Sequence, residues 1–257
     1  MTWTSQLRSQ VKFDLLIFRR NPAATFFTVI FPLILLVLMT SIFGNQVIES
    51  RNDIRVANFY VPGILGLALI SATLVNLAMN TTNRREEGIL KRVRGTPMRP
   101  WVFVTGQVLA SIVIALVMTL LVIVIGRVFF DVSLQTRGIP ALVISLVVGT
   151  ASFCALGLAL TTIIPSINAA SAITNAVVLP LYFVSDVFVI SDGTPRFISF
   201  IGDLFPIKHL VGALFESFDP FTVGTPMPWG HWAVVAAWGA FGVLVTATKF
   251  RWTPWDS

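Results

Sequence analysis

The side chains that could do chemistry in this sequence are few, and their spacing points away from catalysis. His209 and His231 are the only histidines, and neither has an acid or cysteine at ligand spacing, so no metal site is expected. Cys154, the single cysteine, lies within an apolar run. It can form no disulfide within one chain and reads as a small buried hydrophobe. The sequence has no Gly-Lys dipeptide and hence no phosphate-cradling loop. It also lacks G-x-S-x-G, H-E-x-x-H and any pair of intramembrane acids placed to act together. The chain is therefore read as having no catalytic residues and no cofactor of its own.

What remains is charge and amide chemistry whose position matters more than its reactivity. Residues 82–100, TNRREEGILKRVRGTPMRP, hold Arg84, Arg85, Lys91, Arg92, Arg94 and Arg99, six of the eighteen basic side chains. Asn83 followed by Glu86 predicts a capped helix over 83–95, stopped by Gly95 and Pro97. Acids in its first turn and bases in its last suit the helix dipole, and Glu87 precedes Lys91 at pairing distance. Ile89, Leu90 and Val93 give it a narrow apolar stripe. Such a helix is either a solvated basic loop with one helical turn or a docking surface for a soluble partner. Asn76 and Asn80, four residues apart, share a face, where they either bond a neighbouring helix or line a polar cavity.

The elements that must position these groups are apolar. Hydrophobic residues make up 55% of the 257-residue chain, charged residues 12%, and the mean hydropathy is +0.83. This composition belongs to an all-α integral membrane protein, read here as a single transmembrane domain over residues 1–257. Residues 4–20 form an amphipathic interfacial helix with Leu7, Val11, Leu15 and Phe18 on one face and Arg8, Lys12, Arg19 and Arg20 beside it. About twenty mixed residues before the first apolar run argue for a retained N-terminus. Six spans are expected near 22–43, 60–80, 101–125, 139–164, 169–190 and 229–247. Asn21-Pro22 opens the first, and Pro32 is expected to kink it. Asn168 is read as the cap of the fifth, which carries Asn175, Pro180 and Tyr182 and reaches the interfacial Asp186.

Residues 195–218 hold two apolar pieces of about 14 Å each as helix, too short for a core of about 30 Å. They read as a re-entrant or surface-lying hairpin on the outer side. With both termini cytoplasmic, twelve basic residues lie inside against six outside, and eight of the twelve acids lie on or near the outer side. The net charge of +6 thus follows topology, and no basic face with interleaved aromatics suggests nucleic acid.

The run NRREEGILKRVRGTPMRPW, together with FPIKHLVGAL further on, resembles the permease subunit of ABC type-2 exporters, the daunorubicin-resistance-like and polysaccharide-export-like families. The resemblance covers nearly the whole chain. It implies a prokaryotic plasma (inner) membrane protein driven by a separate ATPase subunit, with ATP and Mg bound there, and a second permease copy or paralogue. Arg84, Glu86, Glu87, Gly88, Lys91, Arg92 and Arg94 then form the coupling surface, supported by the helix carrying Arg8, Lys12, Arg19 and Arg20. Candidates for the translocation path are Asn76, Asn80, Asn175 and Tyr182. The weakly charged path favours an amphipathic or hydrophobic drug or lipid. The alternatives are a lipid-linked glycan or polysaccharide carried by the same machinery, or a channel or scaffold that works without ATP.

Overall fold

The computed structural model describes residues 2–43, 47–48, 54–96, 98–132, 134–185, 196–219, 221 and 224–253. Ten helices carry the described chain: α1 (Trp3–Arg20), α2 (Pro22–Phe43), α3 (Val56–Glu86), α4 (Ile89–Arg94), α5 (Pro100–Phe130), α6 (Ile139–Leu160), α7 (Ile167–Val184), α8 (Arg196–Leu204), α9 (Pro206–Phe218) and α10 (Trp229–Lys249). A two-residue antiparallel ladder, β1 (Val47–Ile48) with β2 (Ile54–Arg55), lies between α2 and α3. Six helices, α2, α3, α5, α6, α7 and α10, are long and apolar enough to cross a membrane, and the protein is an all-α membrane protein.

Burial is uneven, and that unevenness defines the architecture. In α3, 83% of the most apolar window is buried, against 22% in each of α2, α7 and α10. α3 is thus the axis of the bundle, packed by α2, α5, α6 and α9. Val61, Ile64, Leu65, Leu69 and Ile70 fill its centre, met by Leu210, Val211 and Leu214 from α9 and by Leu146 and Phe153 from α6. Lipid tails are as apolar as leucine, so close packing and polar contacts, not water exclusion, must hold these helices together. The outward faces of α2 and α10, with Phe27, Ile42, Phe241 and Leu244 exposed, are left for an apolar surrounding.

Local details follow from residue chemistry. The Asn21 side chain accepts a 3.0 Å hydrogen bond from the Ala24 amide and Pro22 stands at the first position of α2, as the Asn-Pro pair predicts. The irregularity expected at Pro32 takes the form of a π segment over Phe26–Ile30, one turn earlier, which absorbs the missing donor. α7 is capped by Ser166, which accepts from the Ala169 amide at 3.2 Å, so Asn168 lies inside the helix and is not its cap. Asp186 lies outside the described residues.

The helix expected as one piece over 83–95 is two. α3 runs through Asn83 to Glu86, because Thr81, Thr82, Arg84 and Arg85 are buried against neighbours and continue the packed face. Asn83 is therefore a mid-helix residue whose amide bonds Glu87, and not an N-cap. Gly88 then takes φ +69°, a left-handed conformation open to glycine at little cost, and α4 starts afresh.

Candidate functional site

The last turn of α3 carries two consecutive arginines that point to opposite neighbours. Arg84 is 5% exposed and pairs through Nη2 with the carboxylate of Asp14 in α1. Its guanidinium also lies over two rings, 5.9 Å from the centroid of Phe13 and 5.5 Å from that of Phe103. One cation thus holds α1, α3 and α5 together by charge and by ring contact. Asp14 is held in turn by Gln10, whose amide donates at 3.0 and 3.1 Å to its two oxygens. Gln10 can sit there because Gly106 of α5 faces it: a Cβ at that position would fall 2.4 Å from Gln10 Cγ.

Arg85, 1% exposed, faces the other way. Its guanidinium donates to the carbonyls of Thr161, at 2.8 Å, and Ile164, beyond the end of α6. Those carbonyls have no intrahelical partners, and the partial negative charge of a helix C-terminus suits a cation. The turn at Gly88 is therefore fastened on one side to α1 and α5 and on the other to α6.

Burial pushes the Asp14 carboxyl above its ordinary value, while the charge and hydrogen bond of Arg84 and then the amide of Gln10 pull it back. Burial prevails. Desolvation outweighs the attraction of the partner, as expected of an ion pair taken out of water.

Beyond this anchored turn, Glu87, Lys91, Arg92 and Arg99 are exposed, whereas Glu86 and Gly88 are half-buried. Leu90 is buried and seats α4 on the bundle. Arg94 ends α4, its side chain lying outside the described residues. Arg8, Lys12, Arg19 and Arg20 of α1 are exposed. Of the residues expected at an open basic surface, Arg84 is the exception: it is a buried tie between helices. Sequence reasoning overlooked Asp14, Gln10, Phe103 and Gln107, and gave Arg85 only its charge. The available signal was Gln10 and Asp14, two polar groups four residues apart on an amphipathic helix.

The four candidates for a translocation path are not brought together within one chain. Asn80 donates to Asn76 at 2.6 Å, and both line a small polar pocket with Asp14, Arg84, Gln107 and Ser111. Asn175 is exposed on α7, 3.4 Å from Ser171 Oγ, whereas Tyr182 is buried with its hydroxyl 3.4 Å from the Leu67 carbonyl. Among the described residues no group of three or more His, Cys, Asp or Glu side chains is placed to enclose a metal ion.

The chain is similar to known membrane transport proteins over most of its length. The model of a family described as ABC-2 type transporter matches residues 5–218, from α1 to the end of α9. The Daunorubicin resistance ABC transporter permease protein DrrB1 of Streptomyces coeruleorubidus is 24% identical over 198 residues, which cover 76% of this chain and 69% of that protein.

Proposed function

Since this chain belongs to the ABC-2 type transporter family, we propose that it is the membrane-spanning permease of an ATP-driven exporter, worked by a separate ATPase subunit. ATP and Mg are bound and consumed in that partner, and this chain converts the partner's movement into a change of shape. The observation that carries the reading is the double fastening of the Gly88 turn, through Arg84 to Asp14 and through Arg85 to the end of α6. A push on exposed Glu87, Lys91 and Arg92 would reach α1, α3, α5 and α6 together, without slack between them. Arg8, Lys12, Arg19 and Arg20 extend the same basic surface. Both termini and this surface face the cytoplasm of a prokaryotic plasma membrane, in keeping with twelve basic residues inside against six outside.

The working unit contains two permeases. The apolar outer faces of α2, α7 and α10 are far more extensive than one chain covers, and Asn175 lies on such a face of α7. An exposed amide within a span is costly in lipid and better accommodated against protein or a polar cavity. The substrate is an amphipathic or hydrophobic compound, a reading supported by the drug-resistance relative and by spans nearly free of charge. The path draws on α3 and α7, and α8 with α9 forms a re-entrant hairpin on the outer side.

Reconstitution with a cognate ATPase tests the assignment, with daunorubicin as the first compound. Drug-stimulated ATP hydrolysis in the wild type, lost in Lys91→Glu/Arg92→Glu while the chain stays folded, is the expected result. Transport that persists without any ATPase, or hydrolysis stimulated only by glycan precursors, would overturn the mechanism or the substrate class respectively.

A further inference from the structure

At the end of the bundle remote from Gly88, the two histidines of the chain meet. His209 Nδ1 in α9 is 2.9 Å from His231 Nδ1 in α10, and the ring planes are tilted by 53°. His209 Nε2 lies at hydrogen-bond distance, 2.8 Å, from the Asp203 carbonyl oxygen, whereas His231 Nε2 faces Glu216 Oε1 at 3.6 Å, an ion-pair distance too long for a hydrogen bond. Gly212 makes room for this arrangement, since a Cβ there would stand 2.9 Å from the His231 ring.

Counting hydrogens along this chain of groups gives an uneven sum. A carbonyl oxygen only accepts, so His209 Nε2 carries a hydrogen and His209 Nδ1 presents a lone pair. The hydrogen between the rings must therefore belong to His231 Nδ1. A neutral His231 then turns a second lone pair toward an ionised Glu216, and the two repel. Two neutral imidazoles fill the two hydrogen bonds and bring no hydrogen to the contact with Glu216.

We propose that His209, His231 and Glu216 form a one-proton site, in which a single proton held between His231 and Glu216 turns the repulsion across their 3.6 Å contact into attraction and clasps α9 to α10. With that proton the three side chains together are uncharged, a state suited to half-buried groups near an apolar bundle. Burial, and then the neighbouring Asp219, push the Glu216 carboxyl above its ordinary value, which favours holding the proton there. The other ionisable groups around the site are Lys208 and Asp203, ion-paired at 2.7 Å. Exposed Arg137 stands on the turn before α6, and Tyr60 and Tyr182 lie on α3 and α7, which pack on α9. α6 brings no charged residue, and the only charge of α10 is Lys249 at its far end. The clasp reaches the axis of the bundle because Phe215 of α9 packs on Phe59 of α3, with centroids 4.7 Å apart and ring planes tilted by 35°.

The full chain in nanodiscs, with a chelator present and ring nitrogens of histidine labelled, allows a direct titration, since the sequence has only two histidines. Between about pH 8 and pH 5 the wild type should take up one proton and not two, with both rings responding in the same step. Glu216→Gln should move that step to lower pH, because no carboxylate is left to offset the proton's charge. Two rings titrating in separate one-proton steps would overturn the proposal, as would a joint step unchanged in Glu216→Gln. Stoichiometric Ni²⁺ or Zn²⁺ bound by the pair at neutral pH, once the chelator is withdrawn, would overturn it too, by making a metal the occupant. The wild-type titration alone decides between one proton and two, whatever the folding of the variant.

Discussion

The two ends of the bundle are tied in different ways. At the Gly88 end, charge is buried with its partner: Arg84 with Asp14, and Arg85 with two carbonyls at the end of α6. At the opposite end His231 and Glu216 are 33% and 45% exposed at their side chains and stand 3.6 Å apart. A buried ion pair changes little with its surroundings near neutral pH, whereas imidazoles respond there. On the proposed function, the first end would transmit displacement, and the second would adjust. The sharpest way to break this contrast is to weaken the rigid end and see how much stability leaves with it.

Asp14→Leu should have the largest effect, a loss of about 3–5 kcal/mol, because it strands the Arg84 cation away from water. The companion Asp14→Leu/Arg84→Met should recover most of that loss, since apolar replacement of a whole buried pair is often neutral or better. Chemical unfolding in detergent would give both values. If single and double variants lose the same amount, the pair is not coupled and the rigid end is rigid for another reason.

Arg85→Ala comes next, at roughly 1–3 kcal/mol, the usual penalty for leaving buried carbonyls unpaired. The loss should localise at the end of α6 and appear as faster amide exchange in that turn. Gly88→Ala is smaller, about 1–2 kcal/mol, because a side chain there resists the left-handed φ of +69°. Nothing lies within 4 Å of a Cβ at Gly88, so the strain is conformational and not steric. This variant separates the turn's shape from its fastenings: stability falls slightly, while Arg84 and Arg85 keep their partners.

The spans could be read in the sequence because an apolar run of spanning length is a local property, and so is the Asn21-Pro22 start of α2. The cap signal at Asn83 is a local propensity and carries no information about packing. α3 continues through Asn83 since Leu77, Thr81, Thr82, Arg84 and Arg85 already lie against α1, α5, α6 or α7, and packing outranks a cap signal. The Asp14–Arg84 pair, seventy residues apart in the chain, depends on how α1 crosses α5 at Gly106, which no local pattern encodes. The apolar face of α1 was visible, but its buried positions include Gln10 and Asp14, which polarity alone assigns to the outside. The histidines show the same limit: Asp203 and Glu216 become neighbours of the pair only once α8, α9 and α10 fold together.

The smallest expected effect concerns acid, and it tests whether the rigid end is rigid for the stated reason. Desolvation lifts the Asp14 carboxyl above its unfolded value despite Arg84. A raised folded value means that the group's contribution to stability is fully present below the unfolded pKa, about 3.9, and is lost as pH rises through the folded one. The stability of the wild type minus that of Asp14→Asn should therefore be greatest in acid and should shrink as pH climbs out of the carboxylate range. An ion pair whose attraction exceeded its desolvation would show the opposite slope. Chemical-unfolding midpoints of the two proteins, compared from about pH 3.5 upward, distinguish the cases. A difference that grew with pH would mean that the Arg84 attraction dominates, and that Asp14→Leu/Arg84→Met should then lose stability and not regain it.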